Sequence, residues 1–421
     1  MKKIIASAVG LMLAGGVAAT TASAAIDNQF GGYWRTRFTY EDNFDGQKSP
    51  SRFYVDQRTR LFYTAKFSDD FKFVNKFEFN STWGDATGVA GTGAGGDLGA
   101  DGKGNWRIKN SYADFNVGPM FNAKVGIQGF TVARGFIFDD DASGFLGTVK
   151  AGMATILPFW IVANDKSMAS WDGAAASAFD QNILGAIVAL KVNDAVTVSP
   201  YFVYHMVRNN ATIADCENWY LGADVDAKFG QVSAWGTGIY EGGKIATLTN
   251  KAFLVAAGAD AGLVHGQAFY ASGDDNKTDT DNNSFLSAPG LATNPNTGGP
   301  GLSANVGSSY YWSEIMGYGV FDNLASHGSP ADDITDIWAA NVGVTFKPMD
   351  KLKITGDYWY ASLAKDNAAG EKSLGNEFDV NIAYNIYDNL TVEAIAAYLV
   401  SGKATGPENV TEGGVRLSLK F

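Results

Sequence analysis

A single cysteine, Cys216, in 421 residues leaves no partner for an intrachain disulfide and no Cys-x-x-Cys-His haem site, and its position argues against a lipoprotein anchor after the leader. Three histidines, His205, His265 and His327, are too few and too far apart for a metal site, and none lies in a His-x-x-x-His spacing. The longest apolar stretch beyond the leader, Ala151 to Ala163, is interrupted by Thr155 and Pro158 and falls short of the ~20 residues a helix needs to cross a bilayer. No phosphate loop, dinucleotide fingerprint or basic nucleic-acid helix is present, and no Ser/His spacing supports hydrolysis. The expectation is a chain without enzymatic chemistry or cofactor. The acidic residues Asp274, Asp275, Asp279, Asp281, Asp332 and Asp333 read as a solvated loop, with Ca²⁺ or Mg²⁺ bridging to anionic surface lipid as the alternative.

What is present points to export and to strands. Lys2 and Lys3, an apolar run from Ile4 to Ala19 and the small-residue site Ala22-Ser23-Ala24 form a signal peptide over residues 1–24, so the mature chain is expected to start at Ala25. Its removal takes the formal charge from −12 to −14. Glycine is abundant at 50 residues and aromatics reach 13%, which suits strands, tight turns and interfacial rings. The sequence closes on Val415, Leu417, Leu419 and Phe421 alternating with polar residues, the pattern of a strand with one face in lipid.

Period-two segments are joined alternately by short turns, such as Phe67 to Phe71, Val117 to Phe121 and Val192 to Val196, and by longer Gly-, Asp-, Asn- and Ser-rich connections. The long connections fall near 41–51, 84–104, 131–143, 165–181, 209–217, 242–249, 273–333, 363–373 and 402–411. Nine outer loops imply an all-β, up-and-down transmembrane barrel of 18 strands over residues 25–421, in the outer membrane, with the short turns periplasmic. The count drops to 16 if 144–164 fails to form a hairpin around Ala151 to Ala154.

Alternation then assigns faces. Trp34, Thr36, Phe38 and Tyr40 point out and turn Arg35 and Arg37 in; Val55, Gln57, Thr59, Leu61 and Tyr63 point out and turn Asp56, Arg58, Arg60 and Lys66 in. On the third strand Phe71, Phe73, Phe77 and Phe79 leave Lys72, Lys76 and Glu78 inward. On the fourth, Ile108 and Tyr112 mark the outer face, which directs Arg107, Lys109 and Ser111 inward and Asn110 and Asp114 outward, Asn110 toward a neighbouring subunit. With Arg416 and Lys420 on the last strand, one arc of the interior is basic; Glu377, Asp379, Glu393, Asp224 and Asp226 form an acidic counterpart. Arg134-Gly135-Phe136-Ile137-Phe138-Asp139-Asp140-Asp141 joins an apolar stretch to three carboxylates and is expected to fold into the barrel.

Hairpin order, the position of Asp139, Asp140 and Asp141 in the third loop, the basic wall and the terminal Phe421 together resemble the trimeric porins of Gram-negative outer membranes. The run from Tyr310 to Gly319 and the Arg134 to Asp141 segment are also similar to sequences of abundant porins from sulfate- and metal-reducing bacteria. The resemblance implies a homotrimer among lipid and lipopolysaccharide, passive diffusion of small hydrophilic solutes and ions, and a constriction where the third loop, 131–143, faces the arginines. Weak ion selectivity is expected, wall and loop pulling opposite ways. Two other readings stay open: a channel selective for sugars or organic acids, with Trp359 and Tyr201 as stacking platforms, and a surface structural or adhesion barrel.

Overall fold

The computed structural model describes residues 26–43, 46–84, 94–95, 105–165, 180–208, 215–276, 278–287, 310–317, 319, 321 and 335–421. The leader, most of 84–104, His327, Asp332 and Asp333 lie outside the described residues. Eighteen long strands form one antiparallel wall. They are β1 (Asp27–Asp42), β2 (Arg52–Lys66), β3 (Phe71–Trp83), β4 (Asn105–Val117), β5 (Phe121–Val132), β6 (Phe138–Ala151), β7 (Ala154–Asn164), β8 (Asp180–Lys191) and β9 (Val196–Arg208). There follow β10 (Cys216–Phe229), β11 (Val232–Ile245), β12 (Leu248–Ala261), β13 (Val264–Ala271), β14 (Ile337–Met349), β15 (Leu352–Leu363), β16 (Ser373–Tyr387), β17 (Leu390–Ser401) and β18 (Val410–Lys420). Each pairs with the next, and β18 pairs with β1 in the register Arg37↔Arg416, so the sheet closes. Closure removes every free edge, the condition for strands in lipid.

The 144–164 region does form a hairpin, β6–β7, turning at Gly152 (φ 63°), a left-handed position that glycine adopts without a Cβ clash. Two expected outer loops are far tighter than their composition suggested. The connection near 242–249 reduces to Ala246 and Thr247, because β11 and β12 stay paired up to Ile245↔Leu248. The third, expected over 131–143, reduces to residues 133–137, because Asp139, Asp140 and Asp141 are strand residues paired with Thr131, Phe130 and Gly129.

One face of every strand presents exposed apolar side chains, among them Phe53, Leu61, Phe202, Leu221, Val255, Val342, Phe378 and Val415. Such a continuous exposed belt is what a bilayer requires of a wall and what water would penalise. Stacked rings such as Phe67 and Phe71, 4.8 Å apart, sit beside the short turns. At the seam, Gly32 exchanges backbone bonds with Phe421 (N to O 2.6 Å, O from N 3.1 Å), and the Phe421 ring lies where a Gly32 Cβ would stand. Replacing Gly32 by Leu, or Phe421 by Ala, is expected to cut the yield of folded barrel several-fold, read as heat-modifiable migration in gels. An unchanged folded fraction in both would contradict a role for this contact in closing the wall.

Candidate functional site: the barrel interior

The other face of the wall encloses an interior that segments of the long β13–β14 connection partly cover. Residues 282–287 lie against β10–β12: Phe285 packs on Tyr220 at 6.3 Å, Tyr220 Oη donates to the Leu286 carbonyl at 2.9 Å, and Leu286 N–H donates to Glu241 at 2.8 Å. Asn218 and Asn250 each donate to the same Glu241 at 2.6 Å, so this buried carboxylate has a full set of donors. Residues 310–321 continue around the wall. Tyr310 stacks on Phe136 at 3.9 Å, and Trp312 meets Phe269 of β13 at 5.3 Å and Trp359 of β15 at 5.1 Å. On β16, Glu377 accepts from Ser313 Oγ at 3.0 Å and from the N–H groups of Ile315 and Met316 at 2.6 and 2.8 Å, while Asp379 accepts from Glu314 N–H at 3.2 Å. The Phe321 carbonyl accepts from Arg37, and its ring lies 5.8 Å from the guanidinium carbons of both Arg37 and Arg416.

This inner layer corrects part of the sequence reading. Glu377 is buried and Asp379 half-buried, and both carboxylates satisfy the backbone donors of a non-helical, non-strand segment, which must find acceptors if it is to leave water. Glu393 ion-pairs with Arg416 across β17–β18 at 2.8 Å. Trp359 and Tyr201 are inward but only 2% and 3% exposed, so neither offers a face for a sugar to stack on.

The turn 133–137 also projects inward. Ala133 and Arg134 have φ of 52° and 58°, Phe136 and Ile137 are fully buried, and Phe136 reaches Phe269 on the far wall at 5.9 Å. Apolar side chains therefore do carry this turn into the barrel, yet the charge at its tip is basic. Arg134 pairs with Asp226 at 3.0 Å, bonds Thr237 Oγ1 at 3.0 Å and lies 5.0 Å over Trp235. The carboxylates stay behind on β6: Asp139 accepts from Thr131 at 2.6 Å, and Asp141 pairs with Lys109 and accepts from Asn110 at 2.9 Å.

The fourth strand holds a second correction. Lys76 pairs with Asn110 but Phe77 pairs with Ile108, so Lys109 is an extra residue, a β-bulge. The bulge switches the face of everything beyond it. Arg107 and Ile108 keep their expected sides, but Asn110, Tyr112 and Asp114 point inward and Ser111 outward. Asp114 accordingly pairs with Lys72 at 3.3 Å, and Lys124 lies 5.8 Å over the Tyr112 ring. A single extra residue is invisible to period-two counting unless the partner strand is known.

The contacts of the inner layer just described fall on β1, β10–β13, β15, β16 and β18, not on β2–β5. Arg58 and Arg60 share one carboxylate, Glu78, at 3.5 and 2.6 Å, and Arg58 also bonds Asn80 at 2.8 Å. Lys76 rests over Phe62 at 5.3 Å, and neither it nor Lys124 or Arg107 forms an ion pair among the described residues. Arg35 and Arg37 are buried, Arg37 against Asp56 at 2.7 Å. In the long connection, Asp275 is paired with Lys365 and Asp281 with Lys251, both at 2.9 Å.

No protein-family model and no curated protein matches the sequence. Solved structures do. Pseudomonas aeruginosa OpdK, solved with vanillate, is similar at a TM-score of 0.56 and 12% identity over 93% of this chain and 98% of that one. Acinetobacter baumannii OccAB4 gives 0.58 at 11% over 94% and 98%, and Pseudomonas aeruginosa OccK9 (OpdG) 0.58 at 14% over 94% and 99%. The fold is therefore that of Gram-negative outer-membrane barrels such as OpdK. At these identities the likeness concerns fold, and these three structures come from Pseudomonas and Acinetobacter rather than from sulfate or metal reducers.

Proposed function

We propose that the chain is an outer-membrane porin through which small hydrophilic solutes diffuse passively, along the β2–β5 wall and with a preference for anions. The observation that carries this reading is an imbalance of cover: among the described residues Arg58, Arg60, Lys76, Arg107 and Lys109 stand on this wall with two carboxylates, Glu78 and Asp141, beside them, while Glu241, Glu377 and Asp379 accept from the inner layer. A predominantly basic wall with water in front of it concentrates solutes of the opposite sign. The near balance expected from sequence shifts toward anions for that reason. Among selective channels, organic acids fit such a wall and sugars lose their platforms. OpdK with vanillate, a carboxylate, is a compatible case. A homotrimer in the outer membrane, as the porin resemblance implies, belongs to this reading, and so does the constriction near Arg134.

Planar-bilayer recording in a tenfold salt gradient tests it. The expected result is a steady current whose reversal potential has the sign of anion preference. Cation preference would overturn the assignment of the path to β2–β5, and absence of current in reconstituted, folded protein would favour the structural or adhesion barrel.

A further inference from the structure

Glu377 and Asp379 stand two residues apart on the inward face of β16, with their carboxyl groups within hydrogen-bonding reach of each other. Glu377 is met by donors on both oxygens: Oε1 accepts from Ile315 N–H, and Oε2 from Ser313 Oγ and Met316 N–H. Asp379 differs. Its Oδ2 accepts from Glu314 N–H at 3.2 Å, but its Oδ1 is buried and receives no hydrogen bond. The charges gathered around the pair are mostly of the same sign. The covering segment brings Glu314, which accepts from Phe321 N–H at 2.6 Å. On β15, Asp357 lies directly opposite Asp379 and meets His265 Nε2 of β13 at 2.8 Å and Asn341 of β14 at 2.9 Å. On β17 the opposite residues are Leu399 and Ala397, with Glu412 of β18 beyond Ala397. Arg37 and Arg416, the arginines of this quarter, ion-pair with Asp56 and Glu393.

Two touching carboxylates repel, and one proton between them removes the repulsion. A buried acceptor without a donor becomes a donor when it is protonated, and Glu377 is the acceptor beside it. We propose that Asp379 is a neutral carboxylic acid donating to Glu377, and that this one proton latches residues 313–316 to the wall. When the segment leaves, water reaches both groups and both ionise, so the docked state binds one proton more than the released state. Docking therefore strengthens as pH falls and weakens as pH rises, by up to about tenfold per pH unit while the proton is being lost. The inference rests on the docked inner layer and does not depend on conduction.

The test attaches a spin label at position 311, where Tyr311 is exposed beside the docked residues, in folded full-length Y311C/C216A barrels in mild detergent. Spectra are taken from about pH 6 to about pH 10, a span that brackets the titration of buried carboxyls. The ratio of mobile to immobile label is expected to rise at least about tenfold across the series. Asp379→Asn, added to the labelled chain, supplies a carboxamide that donates to Glu377 and accepts from Glu314 N–H as the neutral acid does, and is expected to keep the label immobile at every pH. His265→Asn removes the other titratable group of this cluster that gains charge on protonation, and is expected to follow the parent curve. A parent ratio that does not change with pH, an Asp379→Asn curve matching the parent, or a flat His265→Asn curve would each overturn the proposal. A label that follows pH as expected in barrels that carry no current would support the latch and count against the channel reading alone.

Discussion

Glu377→Ala is expected to free the inner layer from the wall. Three donors, Ser313 Oγ and the N–H groups of Ile315 and Met316, converge on this carboxylate, and none has water to turn to, since Glu377, Ile315 and Met316 are buried. Leaving a buried donor unmet costs about 1–3 kcal/mol, so losing the acceptor shared by three donors weakens docking by roughly 3–9 kcal/mol, a factor of about a hundred or more in the docking equilibrium. Single-channel traces should then flicker to larger conductance levels as 310–321 leaves the interior. Glu377→Gln is not a rescue, because its Nε2 would present hydrogens to N–H groups that need an acceptor; it should flicker too, though less. A quiet trace at the parental conductance in both variants would show that the aromatic contacts of Tyr310 and Trp312 hold the segment by themselves.

The wall was legible in the sequence because the bilayer enforces alternation on every strand. Even the doubtful hairpin at 144–164 obeyed it, with Ile156 paired to Val149 and Ile161 to Gly144. The inner layer was not legible, for a physical reason. A carboxylate that clamps backbone N–H groups and one that borders a pore occupy the same inward position of the same strand, as Glu377 does, and only the segment lying over it separates the two. That segment has no period to read, because strand side chains satisfy its backbone in place of a ladder of its own. Trp359 misled likewise, since an inward ring looks the same whether a solute or Trp312 covers it. Phe136 and Ile137 did reveal an inward turn, but which charge it carried depended on where β6 resumed, at Phe138.

Selectivity offers the other large effect, and its sign follows from how Glu78 is shared. Among the described residues Arg58 and Arg60 carry two positive charges against this one carboxylate, and Asn80 donates to it at 2.8 Å. Replacing both arginines by Ala removes two charges and strands Glu78, 2% exposed, beside the path, so the local sign inverts and the reversal potential should swing toward cations. Glu78→Gln changes the same patch by one charge in the opposite direction and should deepen anion preference, by less than the arginine pair shifts it. Asn substitutions at Asp139, Asp140 and Asp141 should act more weakly, because Asp141 is committed to Lys109 and Asp139 to Thr131 on β5. Measurements at about 10 mM salt, where the screening length is ~30 Å, give the largest shifts, and at 1 M, where it is ~3 Å, differences among variants should nearly vanish. If the arginine pair leaves the reversal potential in dilute salt unmoved while Glu377→Ala still flickers, ions pass elsewhere than along β2–β5, and this wall serves the packing of the barrel instead of its traffic.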